Sequence, residues 1–194
     1  MAPYAPRAGV PLYTPRAFVR TRHGTIEIHL DVVEAPLTSA SFVDLARAGF
    51  YDGLVFHRVE PGFVVQGGCP RGDGNGGPGY TLRCEVTRRP YGRGAVGMAL
   101  SGKDTGGSQF FITLGPQPHL DGGYALFGQV VAGMDAVDHL RPGDVIERVD
   151  VVGELGLDGT LRPIRGALSV ARRLASTARK HREPSRAMTL VLPQ

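Results

Sequence analysis

Two short runs, FHRVEPGFVVQGG at Phe56 to Gly68 and GSQFFIT at Gly107 to Thr113, constrain the fold of this chain more than any other feature. Both are rich in Val, Phe and Ile, residues that fit a pleated, half-buried surface. Each also carries polar side chains that a buried strand does not ordinarily take: Arg58 and Gln66 in the first, Gln109 in the second. Such a mixture implies a floor of strands from which a few groups are aimed into a site. Alternation at period two sets Phe56, Arg58 and Glu60 opposite His57 and Val59, and sets Phe63 and Val65 opposite Val64 and Gln66. Pro61-Gly62 between the runs is a turn signal. Taken singly these residues say little, since a lone Arg is usually at the surface and a Phe is usually in the core. The set carries the information.

The flanking sequence continues the β pattern. Ala17 to Arg22 and Thr25 to Leu30 alternate and are separated by His23-Gly24, which fits a two-residue hairpin loop. Pro36 opens a helical pattern in which Leu37, Ala40, Phe42, Val43, Leu45 and Ala46 return at three- and four-residue steps, and Gly49 stops it. Further strands are expected over Tyr80 to Arg83, Ala95 to Leu100, Ser108 to Leu114, Tyr124 to Val131 and Asp144 to Val152, with a second short helix over Met134 to Leu140. With about eight strands, two helices and no βαβ alternation, the physical expectation is a closed antiparallel sheet with helices over its ends.

Net charge +4 is unevenly placed: residues 154–194 carry +5 by count and the remainder −1. Gly166 to His181 holds Ala167, Leu168, Ala171, Leu174, Ala175 and Ala178 at helical spacing beside Arg172, Arg173, Arg179 and Lys180, which predicts a basic amphipathic helix. Residues 1–16 are punctuated by Pro3, Pro6, Pro11 and Pro15 and read as an extended lead-in. No apolar run approaches the ~20 residues a bilayer span needs. Gly72, Gly74 and Gly77 have the G-x-G-x-x-G spacing, yet the stretch leads into β-like sequence instead of a helix, which argues against dinucleotide binding. Ser108 lacks the G-x-S-x-G setting of a hydrolase nucleophile, and the 6 histidines show no metal-ligand spacing.

FHRVEPGFVVQGG, GMALSGKDTGGSQFFIT and HLDGGYALFGQVVAGMDAVD, in that order, closely resemble the cyclophilin family of peptidyl-prolyl isomerases, over a span from about Phe18 to Val152. The resemblance implies a mainly β fold: a closed eight-stranded antiparallel β-barrel capped by two α-helices, here followed by a basic, partly helical C-terminal extension. The chain then divides into a lead-in at 1–16, an isomerase domain at 17–153 and the extension at 154–194. It also implies catalysis of rotation about Xaa-Pro bonds on proline-containing polypeptides, by a monomer, with no cofactor, no metal and no nucleic acid; a proline-peptide binding module of low activity is the alternative.

That chemistry faces an amide-resonance barrier of ~18–20 kcal/mol between isomers that differ by only ~0.5–1 kcal/mol. A dry apolar pocket, anchors for the backbone and a donor that draws the nitrogen lone pair out of resonance suffice. Carried over position by position, the resemblance implies Arg58, Phe63 and Gln66 as the catalytic group. Val64, Ala99, Leu100, Gln109, Phe111, His119, Leu120 and Tyr124 then bind substrate.

Two departures stand out: His119 where well-known members have Trp, and Tyr124 where they have His. The Trp position is associated in the family with cyclosporin binding, so weak binding of that drug is expected. Cys69 and Cys84 flank the glycine-rich loop, and a disulfide between them is one expectation, two separate buried thiols the other. Bridged, the chain belongs outside the cytoplasm; unbridged, a bacterial cytoplasm suits it.

Overall fold

The computed structural model describes residues 2–3, 15–155 and 161–163. The expected helix at 166–181 and most of the lead-in lie outside the described residues. The strands are β1 (Ala2–Pro3), β2 (Arg16–Thr21), β3 (Gly24–Leu30), β4 (Arg58–Glu60), β5 (Val64–Gly67), β6 (Tyr80–Thr81), β7 (Ala95–Met98), β8 (Phe110–Thr113), β9 (Leu126–Ala132), β10 (Arg148–Leu155) and β11 (Leu161–Pro163). Two helices, α1 (Pro36–Arg47) and α2 (Met134–His139), and a 3₁₀ turn at Pro118–Leu120 complete the described fold.

One antiparallel sheet holds the order β11-β10-β2-β3-β9-β7-β8-β5-β4, and β1 pairs parallel with β6 beside it. The expected closed barrel is corrected here: the sheet is an open half-barrel, its ends β4 and β11 unpaired with each other. The reason is local. β4 is three residues long and is cut off by the turn at Pro61-Gly62, and the chain before it meets the chain before β10 only over a short stretch: the Val55–Val145 bridge and backbone hydrogen bonds joining Gly53, Leu54 and Phe56 to Gly143, Asp144 and Ile146. The hairpin also differs by one position from the expected one. Thr21 pairs with Gly24, so the loop is Arg22-His23; the Thr21 hydroxyl donates to the Gly24 carbonyl at 2.9 Å and accepts from the His23 N–H at 3.1 Å.

Alternation along the strands separates two apolar clusters on opposite faces of the sheet. Val65, Val96, Met98, Phe110, Ile112 and Phe127 enter the main core with Phe42 of α1. Phe42 meets Phe110 edge-on at 5.5 Å between centroids and Phe127 at 5.3 Å, geometries that add to plain area burial. Their sequence neighbours Val64, Ala95, Phe111 and Leu126 form a second cluster with Tyr91 and Leu120.

α1 begins at Pro36, whose missing N–H costs nothing in a first turn, but Ala35 before it offers no side-chain cap. Glu85, remote in sequence, supplies one: its carboxylate accepts from the N–H groups of Leu37 at 2.9 Å and Thr38 at 2.8 Å and from the Thr38 hydroxyl at 2.7 Å. The helix stops at Ala48, followed by Gly49 at φ +67°. α2 is entered through Gly133 at φ +84°, where any side chain would strike the Thr25 carbonyl.

Candidate active site

The register of four strands builds the site. Arg58 pairs with Gln66, Gln66 with Phe111 and Phe111 with Gly97, so one lateral row crosses β4, β5, β8 and β7. Cross-strand partners share a face, and this face is the one turned away from the main core. Along it lies an open cleft of about 110 Å³ lined by Arg58, Phe63, Val64, Gln66, Ala99, Leu100, Phe111, Leu120 and Tyr124.

Phe63 corrects the alternation read from sequence. It precedes β5, in a turn where its N–H donates to the Glu60 carbonyl at 3.0 Å and its carbonyl accepts from Leu114 N–H at 2.8 Å. Strand periodicity does not govern a turn residue, and Phe63 joins Val64 and Gln66 at the cleft while Val65 goes to the core. Phe56 is displaced for the same reason: it lies before β4 and is fully buried in the core, not beside Arg58.

The floor is apolar. Val64, Phe111 and Leu120 are all buried, and Tyr124 meets the Phe111 ring edge-on at 5.8 Å, 88° between planes. The rim is cationic. The Arg58 guanidinium carbon lies 5.7 Å from the centroid of the Phe63 ring, within cation–π range. Its Nη1 donates to Gln66 Oε1 at 3.5 Å and its Nε faces Glu60 Oε1 at 3.5 Å, with the side chain 46% exposed. These long contacts leave guanidinium N–H groups able to turn toward a bound imide nitrogen.

Behind the rim a carboxamide relay fixes Gln66. Its Nε2 donates to Gln109 Oε1 at 3.0 Å, and Gln109 Nε2 donates to the carbonyls of Gly74 at 2.7 Å and Gly76 at 2.9 Å. Gln109 is thus drawn into the glycine-rich loop and does not line the cleft. His119 also stands outside the lining and tilts against the Phe63 ring at 5.4 Å, 32° between planes. The other nine expected residues come together.

Of the two readings of Cys69 and Cys84, the structure has the separate thiols, both free. Each sulfur is committed to its own loop: Cys69 Sγ accepts from the Gly76 N–H at 3.2 Å, and Cys84 Sγ accepts from the Asp104 N–H at 3.2 Å.

Two supporting residues had no signal in the sequence. Gln117, between two prolines, donates from Nε2 to the Gly62 carbonyl at 2.8 Å and so holds the turn carrying Phe63. Tyr91, in a stretch with neither helical nor strand periodicity, stacks on Phe111 at 5.6 Å, 28° between planes. Its phenol is pushed well above the ordinary value, first by burial and then by the nearby Asp121.

Comparison with known proteins agrees with this geometry. Residues 17–155 match the family model for cyclophilin type peptidyl-prolyl cis-trans isomerases. Peptidyl-prolyl cis-trans isomerase B of Bacillus subtilis is 55% identical over 66% of this chain and 91% of its own length. A peptidyl-prolyl cis-trans isomerase of Synechococcus elongatus is 50% identical over 71% of this chain and 96% of its own. A crystallised cyclophilin type isomerase of Cryptosporidium parvum, solved in the presence of the dipeptide Ala-Pro, superposes with a TM-score of 0.66 at 29% identity, covering 69% of this chain and 96% of that one. The row of Arg58, Gln66 and Phe111 over an apolar floor, together with these relatives, establishes that the chain belongs to the cyclophilin-type peptidyl-prolyl cis-trans isomerases.

Proposed function

We propose that this cleft grips the ring of a proline in a polypeptide and speeds rotation about the bond before it, with Arg58 as the electrostatic catalyst. The Phe111, Leu120 and Val64 floor takes the apolar ring, with Phe63 and Tyr124 as its walls. Ala99, Leu100 and Gln66 border the cleft where the flanking backbone would lie, and hold one side of the bond while the other turns. As the C–N bond twists, nitrogen regains its lone pair and becomes an acceptor. A fixed cation with several N–H donors stabilises that state more than the planar ground state, which is the condition for raising kcat. No covalent intermediate is needed, because only a torsion changes. Uncatalysed Xaa-Pro isomerisation takes tens to hundreds of seconds, so the natural substrates are folding chains waiting on such bonds.

One observation carries this reading: the Arg58 guanidinium sits over the Phe63 ring, in register with Gln66, at the mouth of an apolar hollow. Removing a donor aimed at a transition state costs about 10²–10³ in rate, so Arg58→Ala should lower kcat/KM on an Xaa-Pro peptide by about that factor while leaving the fold intact. Equal kcat/KM for the two proteins would end the argument for Arg58. We further propose that the protein acts as a monomer and binds cyclosporin weakly, since His119 offers a smaller ring than Trp, packs on Phe63 and is not among the residues that line the cleft.

A further inference from the structure

Tyr91 takes no part in the reaction just described, yet three pieces of the cleft meet at it. Its ring stacks face to face on Phe111, the floor, whose edge contact with Tyr124 pins it from another direction. Its carbonyl accepts from the Gln117 N–H at 2.7 Å, and its N–H donates to Asp121 Oδ1 at 2.8 Å, so its main chain grips both ends of the turn that carries Leu120. Gln117 in turn holds the Gly62 carbonyl, next to Phe63. Burial is nearly complete, with 2% of Tyr91 exposed.

The hydroxyl has no hydrogen-bond partner among the described residues. Core packing alone would favour phenylalanine here, because an unpaired buried hydroxyl is a liability. What the phenol oxygen does is fill space. A Cβ built at Gly97, the last member of the lateral row, would lie 2.6 Å from it. The phenol therefore shares with the Phe111 ring the slot that a side chain at position 97 would claim, and the two rings stack there.

We propose that Tyr91 is a positioning residue: its ring sets the orientation of Phe111 and hence the fit of the pocket to a proline ring. This rests on the isomerase reading of the cleft. An interaction made equally with the ground state and the transition state shows in KM and not in kcat. Tyr91→Leu, which keeps an apolar side chain but loses the stack, should raise KM for an Xaa-Pro peptide about tenfold with kcat changed less than about twofold.

Tyr91→Phe keeps the ring and should rescue KM to within about twofold of the parent. A merely structural role would lower the active fraction, and so apparent kcat, without moving KM. Should the Leu variant fail to fold, Asp121→Ala, which frees the Tyr91 N–H without touching a ring, should raise KM in the same direction. An unchanged KM in Tyr91→Leu, a change confined to kcat, or a Phe variant as impaired as the Leu variant would overturn the proposal. A parent protein with no isomerase activity at all would instead strike the reading of the cleft on which the proposal stands.

Discussion

Gly97→Ala tests the geometry of the site with a single methyl group. Position 97 is an ordinary strand residue whose backbone carries no positive φ, so alanine is acceptable to the main chain and gains about 0.4–1 kcal/mol from a less floppy unfolded state. Space is the obstacle. The new Cβ would stand 2.6 Å from the Tyr91 phenol oxygen and 2.8 Å from Cε2 of Phe111, against 3.4 Å for ordinary contact, and closer still to the Phe111 Cζ. Both rings must therefore retreat by the better part of an ångström. Overpacking of this kind costs about 1–3 kcal/mol, so after the chain-entropy gain the variant should lose about 1–2 kcal/mol. For a domain of this size that is a fall of roughly 2–8 °C in Tm, leaving it folded at 25 °C.

Catalysis should suffer more. A 1 Å misplacement of a substrate-positioning group can cost about 10²-fold, and Phe111 is the floor we propose for the proline ring, so kcat/KM should fall by about ten- to a hundredfold. A protease-coupled isomerisation assay on an Xaa-Pro peptide, paired with thermal unfolding, separates the two effects. A variant with kcat/KM within twofold of the parent and an unchanged Tm would show that neither ring is packed as described, and the argument from the lateral row would fail with it.

Two further predictions concern the scaffold. Glu85→Ala removes the only carboxylate seen capping α1 among the described residues and should cost about 1–2 kcal/mol in urea unfolding, with KM unchanged; a loss below about 0.3 kcal/mol would refute the capping role. Asp144 is buried, which alone would raise its pKa, but the Arg141 N–H at 2.8 Å, His23 at 2.8 Å and Arg22 at 2.7 Å outweigh this and hold it below the ordinary carboxylate range. A depressed folded value means stability that is present above the unfolded pKa of about 3.9 and lost as pH falls through the folded one. Asp144→Asn should therefore be less stable than the parent at pH 7, and the gap should close below about pH 4; a gap independent of pH would count against the ion-pair account.

Much of the site was legible because its residues sit in strands. Gln66 and Phe111 break or continue an alternating pattern in ways that a sequence displays, and their roles follow from which face they share. Arg58 was legible as a cation where a buried strand would not choose one. What failed were residues outside the regular elements. Phe63 was assigned to the wrong face because period two was carried across the Pro61-Gly62 turn, where it has no force. Tyr91 and Gln117 lie in irregular chain, and the contacts that make them matter are to residues far away in sequence. The closed barrel follows from strand count and the resemblance, whereas closure depends on whether the end strands meet; β4 spends its three residues on β5 and makes no pair with β11. Glu85 could not be read as a cap, because capping patterns are local and this one spans 47 residues to Thr38.

The open seam has little bearing on the chemistry, and the two clusters show why. Val65, Ile112 and Val96 point inward, while their neighbours Val64, Phe111 and Gly97 belong to the opposite face, on which the cleft is built. The cleft is thus carried on the convex face of the half-barrel and not enclosed by it. Rigidity there comes from the ladder through β5, β8 and β7, each strand paired on both sides and backed by the aromatic packing of Phe42, Phe110 and Phe127. Arg58, on the end strand β4, which pairs with β5 alone, is the exception. It is held by the β5 ladder on one side only, so its place over Phe63 depends on the cation–π contact and on Gln66 and Glu60.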